Sequence, residues 1–391
     1  MSTATTASVQ QTDWRSEWFE FENATYLNLA GMAPVPKVSL KAVQAALDAK
    51  KFPHTRDDGA IFFDVPNRVR TNLAKLIGAK PEEIALTTGA STGTMAVAYG
   101  LDWKPGDEVL TSKAEFPLQY TTWKPMEERE GIKVNIVAPQ GKFLTADDLI
   151  AALTPRTRVV TISHVRFDDG SMLDVPKLAE ACHKQGTLIL LDVSQSCGAV
   201  PMDVTKLGAD FLVCAGYKWL LGAFGTGFFW VKHELISRLR AAPFYWMAVA
   251  GSDNFAKLDF ANPKPSDSAK RWDTPEWASH FNFNLAALDA GVEFVLRATP
   301  EVVLAHNHTL MDSLFSRLPA DRCVAASPLD RAHRGPYGCF VARTPEKTAE
   351  LYKKLREQNI ILSLRESKLR VSPYLFNTIQ DIDRLVAAIT T

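Results

Sequence analysis

The chain has 391 residues, 46% of them hydrophobic and 23% charged, a soluble-enzyme composition in a length that favours two domains over one core. Lys+Arg and Asp+Glu both total 44, so the zero formal net charge gives no electrostatic case for a nucleic-acid or membrane partner. The five cysteines (Cys182, Cys197, Cys214, Cys323 and Cys339) form no C-x-x-C pair and fit neither a zinc site nor a disulfide framework. The start, MSTATTASVQQTDW, lacks the basic head and apolar run of a secretory signal, and the apolar stretches are strand-sized. The expectation is a soluble, cytoplasmic protein with reduced, buried thiols.

From about residue 80, short apolar runs alternate with helical patterns. Glu83–Thr87 reads as a strand and Ser91–Gly100 as a helix. Further strands follow at Glu108–Thr111, Lys133–Ala138, Arg158–Ser163, Thr187–Asp192, Asp210–Cys214 and Gly227–Val231. Asp174 before Val175-Pro176 predicts the N-cap of a helix that runs to Gln185 and is stopped by Gly186. Strands buried on both faces and separated by helices predict an α/β fold with a mainly parallel sheet flanked by helices. The polar, proline-bearing stretch 255–275 reads as a loop or domain boundary. Helices are expected over Asn284–Ala298 and Glu301–Leu318. After them comes strand, helix, strand, strand, helix from Cys339 to Ile389, a smaller α+β unit. The predicted division is an N-terminal segment 1–24, a large domain 25–275, and a small C-terminal domain 276–391 that includes the linking helix.

Three elements carry chemistry. Asp192 ends the buried run LILLD, at the carboxyl end of a strand, where open α/β sheets place ligands; taken alone, a helix-capping or loop-ordering aspartate is the favoured reading. Lys218 follows the next apolar strand in a stretch with no other charge, which makes it a candidate for a depressed pKa and a nucleophilic amine. A surface lysine lying along Trp219 is the bland alternative. Gly89-Ala90-Ser91-Thr92-Gly93-Thr94 joins a strand to a helix and offers hydroxyls and backbone N–H groups to a phosphate, or a simple Ser/Thr cap. It is neither a P-loop nor a dinucleotide fingerprint, which argues against an NAD-dependent dehydrogenase.

In this order these parts resemble the class V aminotransferases, within the fold-type I enzymes that use pyridoxal 5′-phosphate (PLP), and related to cysteine desulfurases and isopenicillin N epimerase-like proteins. The resemblance is most specific over LLDVSQSCGAVPMDVTKLGADFLVCAGYKWLLGAFGTGFFWV, residues 190–231. It implies that Lys218 carries PLP as a Schiff base and moves the substrate proton, and that Asp192 pairs with the pyridine nitrogen. It further implies Gln195 on the phenolic oxygen, Tyr217 in a position where a histidine often reaches the phosphate, Ala90 and Ser91 in the phosphate loop, and Phe116 stacked on the ring. RWDTP places Thr274 where a threonine often reaches the phosphate of a partner subunit, although the usual preceding glycine is missing. TYLNLAGMAPVP resembles the segment that lines the substrate pocket, with Asn28. Arg370, in LRESKLRVSPYLF, matches the arginine that clamps the substrate carboxylate, with Arg365 as a second candidate. His164 ends a strand near the expected site but reads equally well as structural. A homodimer, amino-acid and keto-acid substrates and no metal complete the expectations.

PLP leaves the reaction open. The four residues between Arg365 and Arg370 contain no cysteine, so desulfuration through an enzyme persulfide is not expected. Phe167 stands near a position where the family often has an asparagine over the ring. The expected activity is an aminotransferase, with a C–S or other β-lyase or an epimerase as alternatives on the same fold. A non-catalytic relative of the fold is the alternative of another class.

Overall fold

Thr25–Tyr26 (β1) is the first strand of the computed structural model, which describes residues 13–57, 62–240, 245–257, 261–274 and 283–391. The first twelve residues, His280, and positions 258–260 and 275 of the predicted loop lie outside the described residues. The alternating region then gives Ile84–Thr87 (β2), Glu108–Ser112 (β3), Lys133–Val137 (β4), Thr157–Ser163 (β5), Leu188–Asp192 (β6), Phe211–Ala215 (β7) and Gly227–Val231 (β8). These seven make one sheet in the order β2-β8-β7-β6-β5-β3-β4. The pairs from β7 through β4 are parallel, and β8 runs antiparallel to both β7 and β2. Residues of β6 and β7 are buried almost throughout, as expected for strands covered by helices on both faces.

The helices follow local signals. Asp174 caps Val175–Lys184 by accepting the Lys177 N–H at 3.2 Å, as the sequence predicts. The expected C-terminal helices are found at Phe283–Ala298 and Pro300–Phe315, the second capped by Thr299. On one face of the large sheet the core includes Leu73, Leu178, Leu191 and Val292; on the other it includes Val97, Trp123, Val213 and Phe229.

The C-terminal part adds Cys323–Ala325 (β9), Gly338–Ala342 (β10), Ile360–Ile361 (β11), Ser363–Arg365 (β12) and Lys368–Val371 (β13). A four-stranded sheet has the order β12-β13-β10-β9, antiparallel throughout. β9, three residues long, was not expected from the sequence. Near the start of the chain, β1 pairs in parallel with β11, and Asn28 bridges Ser372, so the segment ahead of the large sheet is tied to the C-terminal unit.

A buried ion pair closes the edge of the large sheet. The Arg70 guanidinium grips both carboxylate oxygens of Asp273 and also donates to the Ile84 carbonyl at 2.9 Å. Asp273 in turn accepts the Leu86 N–H at 2.9 Å, fixing the segment before Thr274 on β2. Arg70→Ala leaves a buried carboxylate without its cation, and the expected loss is about 3–5 kcal/mol. Denaturant unfolding checks this; an unchanged midpoint would contradict it.

Candidate active site

The site is built at the carboxyl ends of β5, β6 and β7, where Ser163, Asp192 and, one loop later, Lys218 emerge. A narrow cleft is lined by Phe116, Ser163, Val165, Phe167, Asp192, Ser194, Gln195 and Lys218. Asp192 Oδ1 accepts the Ser194 N–H at 2.8 Å, and no described residue hydrogen-bonds to Oδ2. Lys218 is 8% exposed and makes neither a hydrogen bond nor an ion pair with the described residues. Its Nζ lies 5.4 Å from the Phe116 ring centroid. Burial pulls its ammonium down to about 8; Asp192 opposes that shift and Arg370 adds to it.

Arg370 is the second buried cation, 2% exposed. Its Nη1 donates to the Phe167 carbonyl at 3.0 Å, its Cζ lies 5.6 Å from the Tyr337 ring centroid, and Nε is buried with no partner. No carboxylate among the described residues forms an ion pair with it. Desolvation lowers its pKa, which marks the strain of a charge held without a counter-ion. Asn28, by contrast, accepts the Ser363 hydroxyl, beside Arg370 across the β12–β13 hairpin. Arg365 is exposed and donates to the Leu364 carbonyl at 2.9 Å.

Gln195 is held at both ends of its amide. Nε2 donates to the Ala30 carbonyl at 3.0 Å and Oε1 accepts the Trp219 indole N–H at 3.0 Å, which leaves the second amide N–H for a ligand. Tyr217 stacks on Phe224 with ring centroids 4.3 Å apart, and Phe116 meets Phe167 edge-on at 5.6 Å. His164 is a structural residue: its Nδ1 lies 3.0 Å from the Ser196 hydroxyl, and burial pulls its pKa down to about 4.

The phosphate-loop candidate lies at the end of β2. Gly89 has φ +152°, a conformation open to glycine, and the Ala90–Gly100 helix that follows has no side-chain cap. The N–H groups of Ala90, Ser91 and Thr92 take no acceptor from the described residues, so this helix start is open to an anion. Gly227 backs the turn: a Cβ there would come within 2.7 Å of Gly89 Cα. Thr274 is anchored by its N–H to the Leu86 carbonyl at 3.1 Å on β2 of its own chain, and its buried hydroxyl has no partner.

A group that sequence reasoning missed supports this cleft. Arg166 inserts its guanidinium among Ser112 Oγ, the Lys113 and Ala114 carbonyls and Glu115, at 2.8, 2.9, 2.9 and 3.1 Å. Glu115 also accepts the Ser163 hydroxyl at 2.6 Å, and burial raises its pKa against the pull of Arg166. Asp168 accepts from Lys368 at 2.7 Å. The signal was present as charges packed into AEF and RFDDG at the ends of apolar strands, where an ion needs a partner.

The open groups fit PLP: a buried amine, an unengaged carboxylate oxygen, an aromatic face, and an uncapped helix start for the phosphate. Capture of PLP by the apoprotein needs the neutral Lys218 amine. Its rate is expected to rise with pH through a midpoint near 8, followed by the visible absorbance of the bound cofactor. A midpoint above 10 would contradict a desolvated lysine.

Among curated proteins, a probable cysteine desulfurase of Ureaplasma parvum is 25% identical over 95% of this chain and 94% of its own. The uncharacterized aminotransferase YcbU of Bacillus subtilis is 24% identical over 88% of this chain and 87% of its own. A solved complex of the cystine C–S lyase C-DES with its reaction product cysteine persulfide has a TM-score of 0.83 at 23% identity, covering 94% of this chain and 97% of that one. These relatives overturn the expectation against a cysteine desulfurase and leave the aminotransferase activity unconfirmed. The error lay in taking a missing loop cysteine as an argument against a cysteine desulfurase. A protein thiol only accepts sulfur; breaking the bond does not require one. The model described as "Aminotransferase class-V" matches residues 25–385, and the chain belongs to that family of fold-type I enzymes, with PLP as its cofactor.

Proposed function

We propose that this protein is a PLP-dependent lyase that cleaves the Cβ–S bond of a small amino acid with a free α-carboxylate, and that the sulfur leaves on a small molecule. The observation that carries the reading is the pair of buried cations without counter-ions, Lys218 in the cleft and Arg370, which donates to the carbonyl of the cleft residue Phe167. Arg370 takes the substrate carboxylate, with Asn28 and Ser363 bracing its strand and Arg365 at the rim. Lys218 holds the cofactor between turnovers and takes the proton from the substrate Cα. When bound, PLP supplies the electron sink that makes that proton acidic and lets a β-substituent depart. Asp192 Oδ2 holds the proton of the pyridine nitrogen, and the free N–H of Gln195 serves the phenolic oxygen. The Ala90 and Ser91 N–H groups, with Tyr217, serve the phosphate, while the Thr274 hydroxyl, buried in its own chain, does not reach a partner subunit. Phe116 covers the ring and, with Phe167, keeps water from it.

The fate of sulfur follows from the thiols. All five cysteines are buried, and burial raises the pKa of Cys182, Cys214, Cys323 and Cys339, so none of these four presents a thiolate at neutral pH. Between Arg365 and Arg370 the chain makes a two-residue hairpin turn, with Glu366 and Ser367 at φ +45° and +58°. The names of the curated relatives support sulfur chemistry on this fold. A homodimer is part of the proposal, supported by the exposed Met95, Tyr99 and Phe224.

L-cystine plus water is expected to give pyruvate, ammonia and cysteine persulfide, with the visible band of the bound cofactor kept through turnover. Lasting conversion to a pyridoxamine form, with release of the keto acid of the donor, would instead establish a transaminase.

A further inference from the structure

We propose that Lys368 keeps Arg370 open for substrate by occupying Asp168, the buried carboxylate that would otherwise neutralise it. The inference rests on Arg370 being the carboxylate clamp.

Lys368 and Arg370 are two residues apart on β13, so their side chains leave the same face of the strand. They meet consecutive residues of one turn: Arg370 Nη1 lies 3.0 Å from the Phe167 carbonyl, and Lys368 Nζ lies 2.7 Å from Asp168 Oδ2. The Asp168 side chain is 4% exposed, and its Oδ1 has no hydrogen bond, only Arg166 Nε at 3.4 Å. A buried guanidinium that reaches Phe167 and a buried carboxylate on the next residue would compete to pair unless another cation held the carboxylate. The other acids of the cluster are also engaged. Asp169 accepts the Ser171 N–H at 2.8 Å, and Glu115 is bound by Arg166 and Ser163. Arg370 is therefore left the cation without an acid, and the hairpin supplies a spare cation to keep it so.

This differs from a plain strut between the two sheets, in which the Lys368–Asp168 contact would matter for its own sake. If Lys368 works by occupying Asp168, removing the lysine harms carboxylate binding, and removing the aspartate as well repairs it. A strut broken once is not repaired by breaking it twice.

The test is a titration of the holoenzyme with glycine, an amine with a carboxylate and no Cβ–S bond, read by the shift of the cofactor absorbance. Lys368 is 25% exposed, so its variants are expected to fold, and the cofactor band reports that directly. Lys368→Met is expected to weaken glycine about tenfold or more with the unliganded spectrum unchanged. Lys368→Arg should retain the affinity, and Lys368→Met with Asp168→Asn should return to near it. Native affinity in Lys368→Met would overturn the proposal, and so would a double variant as weak as the single. Arg370→Lys is measured beside them. Native glycine affinity there would bring down the clamp itself, whereas a weak Arg370→Lys with a native Lys368→Met would bring down only the role of Lys368.

Discussion

Two buried cations without carboxylate partners are the constraint on which the rest of the site depends. Moving a charge out of water is costly unless something compensates it, and Lys218 and Arg370 receive little compensation from the protein. Lys218 has Asp192 in its vicinity but no direct partner, and its proton is loosened as a result. Arg370 has a single carbonyl, from Phe167, and an aromatic face, from Tyr337. Such an arrangement is stable only because the surrounding elements are rigid, and it gives back its desolvation energy when an anion or a carbonyl compound fills the cleft.

The fold supplies that rigidity from three directions. The parallel core brings Ser163, Asp192 and the loop to Lys218 to one edge in register, with Ser163 directly opposite Asp192. The β12–β13 hairpin brings Arg370 from the C-terminal unit, and β1 with Asn28 fastens that hairpin from the other end of the chain. Arg166 joins the loops carrying Phe116 and Phe167 by four contacts from one guanidinium. Small displacements in any of these would let water or an internal carboxylate reach the open charges.

Much of this was legible in the sequence. The run LILLD and the lysine after the next apolar strand announced Asp192 and Lys218 because continuous apolar strands are both recognisable and buried. Gly89 through Thr94 was readable as a strand-to-helix junction for the same local reasons. The Arg166–Glu115–Asp168–Lys368 cluster was not, because its members lie up to 253 positions apart and meet only through tertiary packing. β9 escaped notice because three residues carry too little periodicity. The reaction was misjudged for a different reason. The missing cysteine in Glu366–Leu369 was read as evidence against a cysteine desulfurase, although it bears only on where the sulfur goes.

The most direct measurement is reduction of the purified, PLP-loaded protein with borohydride, followed by peptide mapping for the phosphopyridoxyl mass. Reduction locks the cofactor onto whichever amine holds it. The account predicts the label on the peptide containing Lys218 and on no other. A label on a different lysine, or a protein that binds PLP without any reducible link, would contradict it.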